Sequence, residues 1–212
     1  MDVLDLLKKD WKKNEHSFPK ITEQEIYAML HKKSSSIVKW IFIISILEMI
    51  AWSLISFFTA DENYLKTLES YHIKTLVTTF TVINYIVIFS FIFLFYRNFK
   101  SINTTDSVKS LMKNILKTRK TVQYYIWYNL FMVAFIFIVV SISQVMYEPN
   151  IKNALNNIDY ADSKIFWIVI ILSYLALFAI TFGLFWLFYR LIYGFLMRRL
   201  HKNYEELKKM DF

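Results

Sequence analysis

Four long apolar runs interrupt a chain that is otherwise polar and basic. They cover about residues 37–60, 76–96, 122–145 and 165–190, and the last run continues to Met197. Each run supplies the roughly 20 apolar residues that an α-helix needs to cross the hydrocarbon of a bilayer. The pattern therefore predicts an all-α integral membrane protein, a four-helix bundle spanning about residues 37–197.

The charges of the connecting segments alternate along the chain. The N-terminal segment, the loop between the second and third spans, and the C-terminal end carry 7, 7 and 6 Lys and Arg, a total of 20. The other two loops carry 2 each, a total of 4. Because Lys and Arg accumulate on the cytoplasmic side, this alternation predicts that both termini and the central loop are cytoplasmic.

Residues 1–36 are predicted to form a cytoplasmic amphipathic helical segment. Pro19 interrupts it, and Thr22 with Glu25 makes a capping box that starts a second helix running toward the first span. The face of the first helix that we expect to bind a partner or lipid consists of Leu4, Leu7 and Trp11.

The central loop predicts another amphipathic helix, at about residues 105–121, capped by Thr105 or Asp106. Its apolar positions follow helical spacing, at Val108, Leu111, Met112, Ile115 and Leu116. A separate face carries Lys109, Lys113 and Lys117. This pattern is typical of a helix lying in the lipid interface with its lysines near anionic headgroups, although topology alone also concentrates basic residues here. Residues 198–212 form a cytoplasmic C-terminal tail.

Glu48, Asn84 and Asn129 are the polar residues within the predicted spans that are candidates for a functional role. Glu48 is predicted at mid-membrane, where a charge is costly, so its carboxyl is expected to be protonated or hydrogen-bonded. Counted in residues from the cytoplasmic ends of the spans, Asn84 lies at a depth similar to that of Glu48. Asn84 is therefore the candidate partner of Glu48. Two interpretations remain open, a proton or cation path through Glu48 and polar packing between helices.

Other features bear on how the helices pack. Ala179 and Gly183 offer a small-residue packing face on the fourth span. The interfacial aromatic residues expected at the cytoplasmic side include Tyr125 and Tyr189. Leu-Phe-Tyr-Arg closes both the second and the fourth span, at 94–97 and 187–190, which indicates either a 2+2 parallel repeat or chance similarity. A bundle this small is also compatible with a homo-oligomer.

The amino-acid composition excludes several classes of function. Of 212 residues, 56% are hydrophobic, only two are Gly and two Pro, and there is no Cys, so thiol chemistry is excluded. The net charge of +8 does not indicate nucleic acid, because the basic residues adjoin the spans. We find no catalytic motif and expect no metal and no cofactor.

The segments Leu6–Trp11 (LLKKDW) and Glu25–Trp40 (EIYAMLHKKSSSIVKW) resemble an uncharacterised bacterial family of four-span inner-membrane proteins. The resemblance implies a bacterial inner membrane and supplies no site residues. Some relatives are labelled automatically as carotenoid-cleaving oxygenases, which hold iron with four histidines. The label is discounted here, because the predicted topology separates His72 from His16, His31 and His201.

The leading hypothesis is a non-enzymatic protein that presents cytoplasmic helices to a protein partner or anionic lipid. One version is a membrane-anchored regulator that sequesters a cytoplasmic factor. The alternative is a small transporter or channel subunit that uses Glu48 with Asn84. A lipid-modifying enzyme is a third class, for which no catalytic constellation is found.

Overall fold

The computed structural model describes residues 22–104, 107–156 and 160–210, and every regular element in these ranges is an α-helix. In chain order the helices are α1 (Glu23–Thr59), α2 (Glu62–Ser70), α3 (Lys74–Asn103), α4 (Val108–Tyr147), α5 (Pro149–Asn156) and α6 (Tyr160–Lys208). The helices α1, α3, α4 and α6 are long and apolar enough to cross a membrane. The prediction of an all-α bundle is therefore confirmed.

The four long helices extend well past the predicted spans. They contain 37, 30, 40 and 49 residues, which corresponds to about 55, 45, 60 and 74 Å at about 1.5 Å per residue. The hydrocarbon core of a bilayer is only about 30 Å thick. The surplus lies mainly at one end of the bundle, which we call the basic end. It comprises the start of α1, the end of α3, the start of α4 and the end of α6.

Two helix starts at the basic end show how the sequence sets the helix boundaries. The capping box predicted for Thr22 and Glu25 is confirmed: Thr22 Oγ1 accepts from the Glu25 N–H at 3.3 Å, and the Glu25 carboxylate accepts from the Thr22 N–H at 2.8 Å. The Thr22 N–H and the Thr22 hydroxyl both donate to the Glu25 carboxylate, and these two bonds lower the pKa of Glu25. The cap of α4 is Ser107, one residue beyond the predicted Thr105 or Asp106, and its hydroxyl accepts from the Ser110 N–H.

Each long helix packs against two antiparallel neighbours. The pairs are α1 with α3, α3 with α4, α4 with α6 and α6 with α1, so the four helices close into a bundle. The short helices α2 and α5 lie at the opposite end, which we call the loop end. The order of a long helix, a short helix and a long helix thus occurs twice along the chain. This is the arrangement expected for two related hairpins.

The Leu-Phe-Tyr-Arg motif does not occupy equivalent environments in the two hairpins. Phe95 is buried and Tyr96 is exposed, whereas Phe188 is exposed and Tyr189 is buried. The second hairpin therefore directs a tyrosine into the bundle where the first directs a phenylalanine. Any repeat in the fold has lost its symmetry at this position.

The basic end is a packed four-helix extension with its own apolar core. The fully or nearly buried residues of this core are Leu30, Val38, Ile102, Leu111, Ile115, Leu200 and Leu207. Two polar pairs cross it, Asn203 with Ser34 at 3.0 Å and Asn98 with Thr121 at 3.2 Å. Burial of apolar surface from all four helices stabilises this extension in the same way as a water-soluble bundle.

The central-loop helix predicted at 105–121 is not a separate element. It forms the first turns of the continuous helix α4, and the apolar stripe through Leu111 and Ile115 packs against the other three long helices. The prediction that this stripe lies in the lipid interface was therefore wrong. The same spacing of apolar residues suits a helix in the lipid interface and a helix packed in a bundle. No helix-breaking residue separates the segment from the span, so one continuous helix forms.

Contacts between the two hairpins stabilise the loop end. Leu68, Tyr71 and Ile73 form a small buried cluster, with Val139 and Val140 of α4 packed against it. The Tyr71 hydroxyl donates to the Glu148 carboxylate, which raises the pKa of Tyr71 to about 12. The turn passes through His72, whose φ of 56° lies in the left-handed region, and its ring meets Tyr147 edge-on.

We expect Ile115→Ala to destabilise the extension, whereas Leu116→Ala on the adjacent position should be nearly neutral. Ile115 is 0% exposed and Leu116 is 43% exposed. Truncating a buried Ile costs about 2–5 kcal/mol, and a change at an exposed site costs within about 0.5 kcal/mol. The free energy of unfolding in detergent micelles measures both, and equal losses would mean that the stripe does not face this core.

Candidate functional site

Glu48 is buried in the bundle and accepts hydrogen bonds from three tyrosine hydroxyls on two other helices. Tyr189 Oη donates to Glu48 Oε1 at 2.6 Å, while Tyr125 Oη and Tyr193 Oη each donate to Oε2 at 2.9 Å. Glu48 lies on α1, Tyr125 on α4 and the other two on α6. We call these four residues the Glu48 cluster. It is a point at which three helices are joined by hydrogen bonds through one carboxyl.

Aromatic rings from the remaining long helix close the Glu48 cluster. On α3, Phe91 and Phe95 meet the ring of Tyr125 edge-on, with centroid distances of 5.4 and 5.5 Å. The ring of Tyr193 meets the same tyrosine at 5.7 Å. All four long helices therefore contribute to the surroundings of the carboxyl, and its polar contacts are enclosed in an aromatic shell.

The geometry of α6 explains why two of the donors come from one helix. Tyr189 and Tyr193 are four residues apart and so project from the same helical face. Each hydroxyl needs a partner when buried, and Glu48 supplies both. The Tyr189–Tyr193 spacing within an apolar segment was the sequence signal for this contact, since a single intramembrane acid was the available acceptor.

Asn84 is not the partner of Glu48, and that prediction was wrong. Its Oδ1 atom accepts from Tyr128 Oη at 3.1 Å, and Asn129 Nδ2 donates to the backbone carbonyl of Tyr125 at 2.8 Å. Counting residues along separate helices estimates depth but not the direction in which each side chain points. The two asparagines lie toward the loop end from the cluster.

Tyr125 and Tyr189 also depart from prediction, because they are buried at 1% and 2% exposure and do not face a membrane interface. The Tyr125 and Tyr189 donors to the Glu48 carboxyl lie close to the basic-end limits of the predicted third and fourth spans. Tyr189 immediately precedes Arg190, and Tyr125 follows Lys120 by about 7.5 Å along the helix. The side chain of Glu48 itself tilts toward the N-terminus of α1, as helical side chains do.

A cavity of about 590 Å³ lies between the long helices on the loop-end side of the cluster. Tyr189 lines this cavity while its hydroxyl is bonded to Glu48. Its other polar lining residues include Asn84, Asn129 and Gln144. None of the residues that line it within the described chain is acidic, basic or histidine. The cavity is therefore uncharged, and its mostly apolar lining carries several neutral hydrogen-bonding groups.

The lysines predicted to contact a partner or lipid are exposed. Lys109, Lys113 and Lys117 form a stripe along the outside of α4 at the basic end. Their positions are compatible with the predicted role, although the apolar face beside them is buried within the bundle. Leu4, Leu7 and Trp11 lie outside the described residues.

The small-residue packing face predicted on α6 is not used between the described helices. Ala179 is exposed, and a Cβ added to Gly183 would meet nothing within 4 Å. The contact face of α6 instead carries aromatic residues, such as Phe178 against Phe137 and Phe185 against Trp52. Large aromatic rings fill the space between these helices. Small residues at the contact would instead let the helices approach closely.

The histidines in the described ranges do not converge. His72 lies at the loop end, whereas His31 bonds the Ile102 carbonyl and His201 contacts Arg119 at the basic end. Within these ranges no group of three or more His, Asp or Glu side chains is placed to hold a metal ion.

Comparison with known families identifies one matching family, whose function is unknown. Residues 24–212 match the family described as Domain of unknown function (DUF8845). This chain belongs to that family. The match contains all four candidate spans except Glu23, the first residue of α1, so the DUF8845 domain includes the Glu48 cluster and the cavity. No curated protein and no solved structure matches the chain.

The resemblance to an uncharacterised family is thus confirmed in its coarse form. The DUF8845 match begins at residue 24, so it includes Glu25–Trp40 and leaves out Leu6–Trp11. Because the family description carries no activity, the chemistry of the site has to be inferred from the residues themselves.

Tyr193→Phe should destabilise the protein more than Tyr124→Phe does. The first change removes a hydroxyl that donates to Glu48 at 2.9 Å, and the second removes a hydroxyl from a side chain that is 56% exposed. We expect a loss of about 1–2 kcal/mol for Tyr193→Phe, between typical values for polar contacts in membranes and for bonds to charged groups. Denaturation in detergent micelles tests this, and indistinguishable midpoints for the two variants would contradict it.

Proposed function

We propose that this protein is a non-enzymatic, four-span protein of a bacterial inner membrane that binds an acidic cytoplasmic protein through its basic end. The observation that carries the proposal is a packed helical extension whose outer surface is cationic. All four long helices contribute exposed Lys or Arg there, including Lys33, Arg97, Lys113 and Arg198. The positive-inside rule supports a cytoplasmic location for such an end.

The extension suits partner binding because it is preformed. Its apolar faces are buried against one another around Leu30, Ile115 and Leu200, so it presents charged side chains on a packed support. A preordered surface loses little conformational freedom on binding. The partner is thus recognised mainly by charge, and an apolar helix face is not required.

The length of α4 favours a protein over lipid headgroups as the ligand. Lys113 and Lys109 precede the predicted start of the third span, at about residue 122, by about 14 and 20 Å along the helix. The Debye length at physiological ionic strength is about 8 Å. Headgroups extend about 5–7 Å beyond the hydrocarbon, so Lys109 lies more than one Debye length above them and Lys113 about one. Both lysines are therefore well placed for a soluble protein. A role in signalling, such as retention of a cytoplasmic factor at the membrane, fits this arrangement.

The test compares the double variant Lys109→Glu/Lys113→Glu with Lys66→Glu, a single charge reversal at the loop end. Full-length protein in phosphatidylcholine nanodiscs is incubated with soluble extract of the source bacterium, and bound proteins are identified by mass spectrometry. We expect an acidic protein that the double variant binds at least about tenfold less than Lys66→Glu does, a loss of about 1.4 kcal/mol, and that is released by salt.

Recovery of the same proteins by wild type and double variant would contradict the proposal. A separate arm replaces phosphatidylcholine with phosphatidylglycerol in the nanodiscs. If the anionic lipid raises the unfolding midpoint of the wild type and not that of the double variant, lipid is the ligand of these lysines and the protein-partner proposal is wrong.

A second candidate function is transport through Glu48 and Asn84, which the neutral polar groups in the cavity next to the Glu48 cluster favour. Against it, Glu48 does not line the cavity, since Tyr189 stands between them. In proteoliposomes carrying a pH-sensitive dye, our main proposal predicts that wild type and Glu48→Gln give the same proton flux as protein-free vesicles. Flux in the wild type that Glu48→Gln abolishes would instead establish the transport function.

A further inference from the structure

The cavity continues into an apolar groove on the outside of the bundle. The groove has a volume of about 510 Å³ and lies between α4 and α6 toward the loop end. It shares Phe137, Ser141 and Tyr174 with the cavity. The two spaces therefore adjoin at these residues: the cavity carries neutral polar groups in a mostly apolar lining, whereas the groove is lined almost wholly by apolar surface.

The groove faces outward along the membrane-spanning part of the bundle. Ile138 and Ile142 on α4 and Ile171 and Leu175 on α6 line it, and each is more than half exposed. Side chains of this kind on candidate spans face acyl chains. A molecule dissolved in the bilayer can thus approach the cavity sideways, through the junction at Ser141.

The cavity wall combines donors and acceptors without charge. The amide oxygen of Gln144 accepts from Tyr174 Oη at 3.1 Å, and that of Asn84 accepts from Tyr128 Oη. Each amide also carries two N–H donors, and each hydroxyl both donates and accepts. This lining suits a head that forms several neutral hydrogen bonds.

The chemistry of the wall excludes two kinds of occupant. A charged head would be buried without a countercharge, which costs far more than the burial of a neutral polar group. A pure hydrocarbon would leave amides and hydroxyls facing an apolar surface, which costs about 1–3 kcal/mol for each group left unpaired. The volume of the cavity lies in the range of about 300–1,000 Å³ that is usual for small-molecule sites.

We propose that the cavity and groove together bind one single-chain, uncharged lipid taken from the bilayer. Its hydroxyl or ester head occupies the cavity near Gln144 and Tyr174, and its apolar chain lies in the groove between α4 and α6. Monoacylglycerols and long-chain alcohols have this chemistry. The proposal requires membrane insertion and does not depend on the acidic partner proposed above.

The probe is a monoacylglycerol with a diazirine in the middle of its acyl chain, added to the full-length protein in phosphatidylcholine nanodiscs. After irradiation, peptide mass spectrometry locates the labelled residues. We expect labelling of the groove segments 137–146 and 167–178 to exceed that of exposed positions on α1 and α3 by about tenfold, and to saturate. Unlabelled monoolein should compete, whereas oleate at pH 8 and octadecene should not.

Ser141→Trp places a large ring at the junction of cavity and groove and should reduce labelling of the groove by about tenfold. Ser90→Trp is the matched control, since Ser90 is exposed on α3 and should leave the labelling unchanged. The competition profile of the wild type keeps the test decisive if Ser141→Trp fails to fold. Labelling spread evenly over the exposed faces, or equal competition by oleate or octadecene, would overturn the proposal.

Discussion

The Glu48 carboxyl is the contact on which the arrangement of the four long helices depends. Within a bilayer, lipid tails are as apolar as leucine side chains, so burial of apolar surface gives helices little reason to associate. Packing and hydrogen bonds have to supply that energy. Glu48 accepts from Tyr125, Tyr189 and Tyr193, and in this way one residue of α1 fixes the positions of α4 and α6. The rings of α3 then close the site around Tyr125.

This contact stands between two regions that are stabilised differently. Toward the basic end, the core of Leu30, Ile115 and Leu200 excludes water, and the hydrophobic effect stabilises it. Toward the loop end, the helices separate enough to leave a cavity, and hydrogen bonds such as that from Tyr71 to Glu148 hold the hairpins together. A change at the Glu48 cluster therefore bears on both the charged surface and the cavity.

Sequence reasoning succeeded where the chemistry is local. The four apolar runs predicted the long helices, and the capping box at Thr22 and Glu25 is present as expected. It failed where the answer depends on how helices are rotated against one another. Leu111 and Ile115 form the same stripe whether they meet lipid or a neighbouring helix, and Asn84 was assigned by depth although its side chain points to Tyr128. The cavity could not be predicted at all, because no single helix contains it.

The proposed function requires that the basic end face the cytoplasm, where the proposed partner would meet it. The chain has no Cys, so single-cysteine variants report location without interference. In intact bacterial cells whose outer membrane has been made permeable, a membrane-impermeant maleimide should label Lys66→Cys and should label Lys113→Cys only after the inner membrane is lysed. Labelling of Lys113→Cys before lysis, with protection of Lys66→Cys, would contradict the orientation and the function proposed from it.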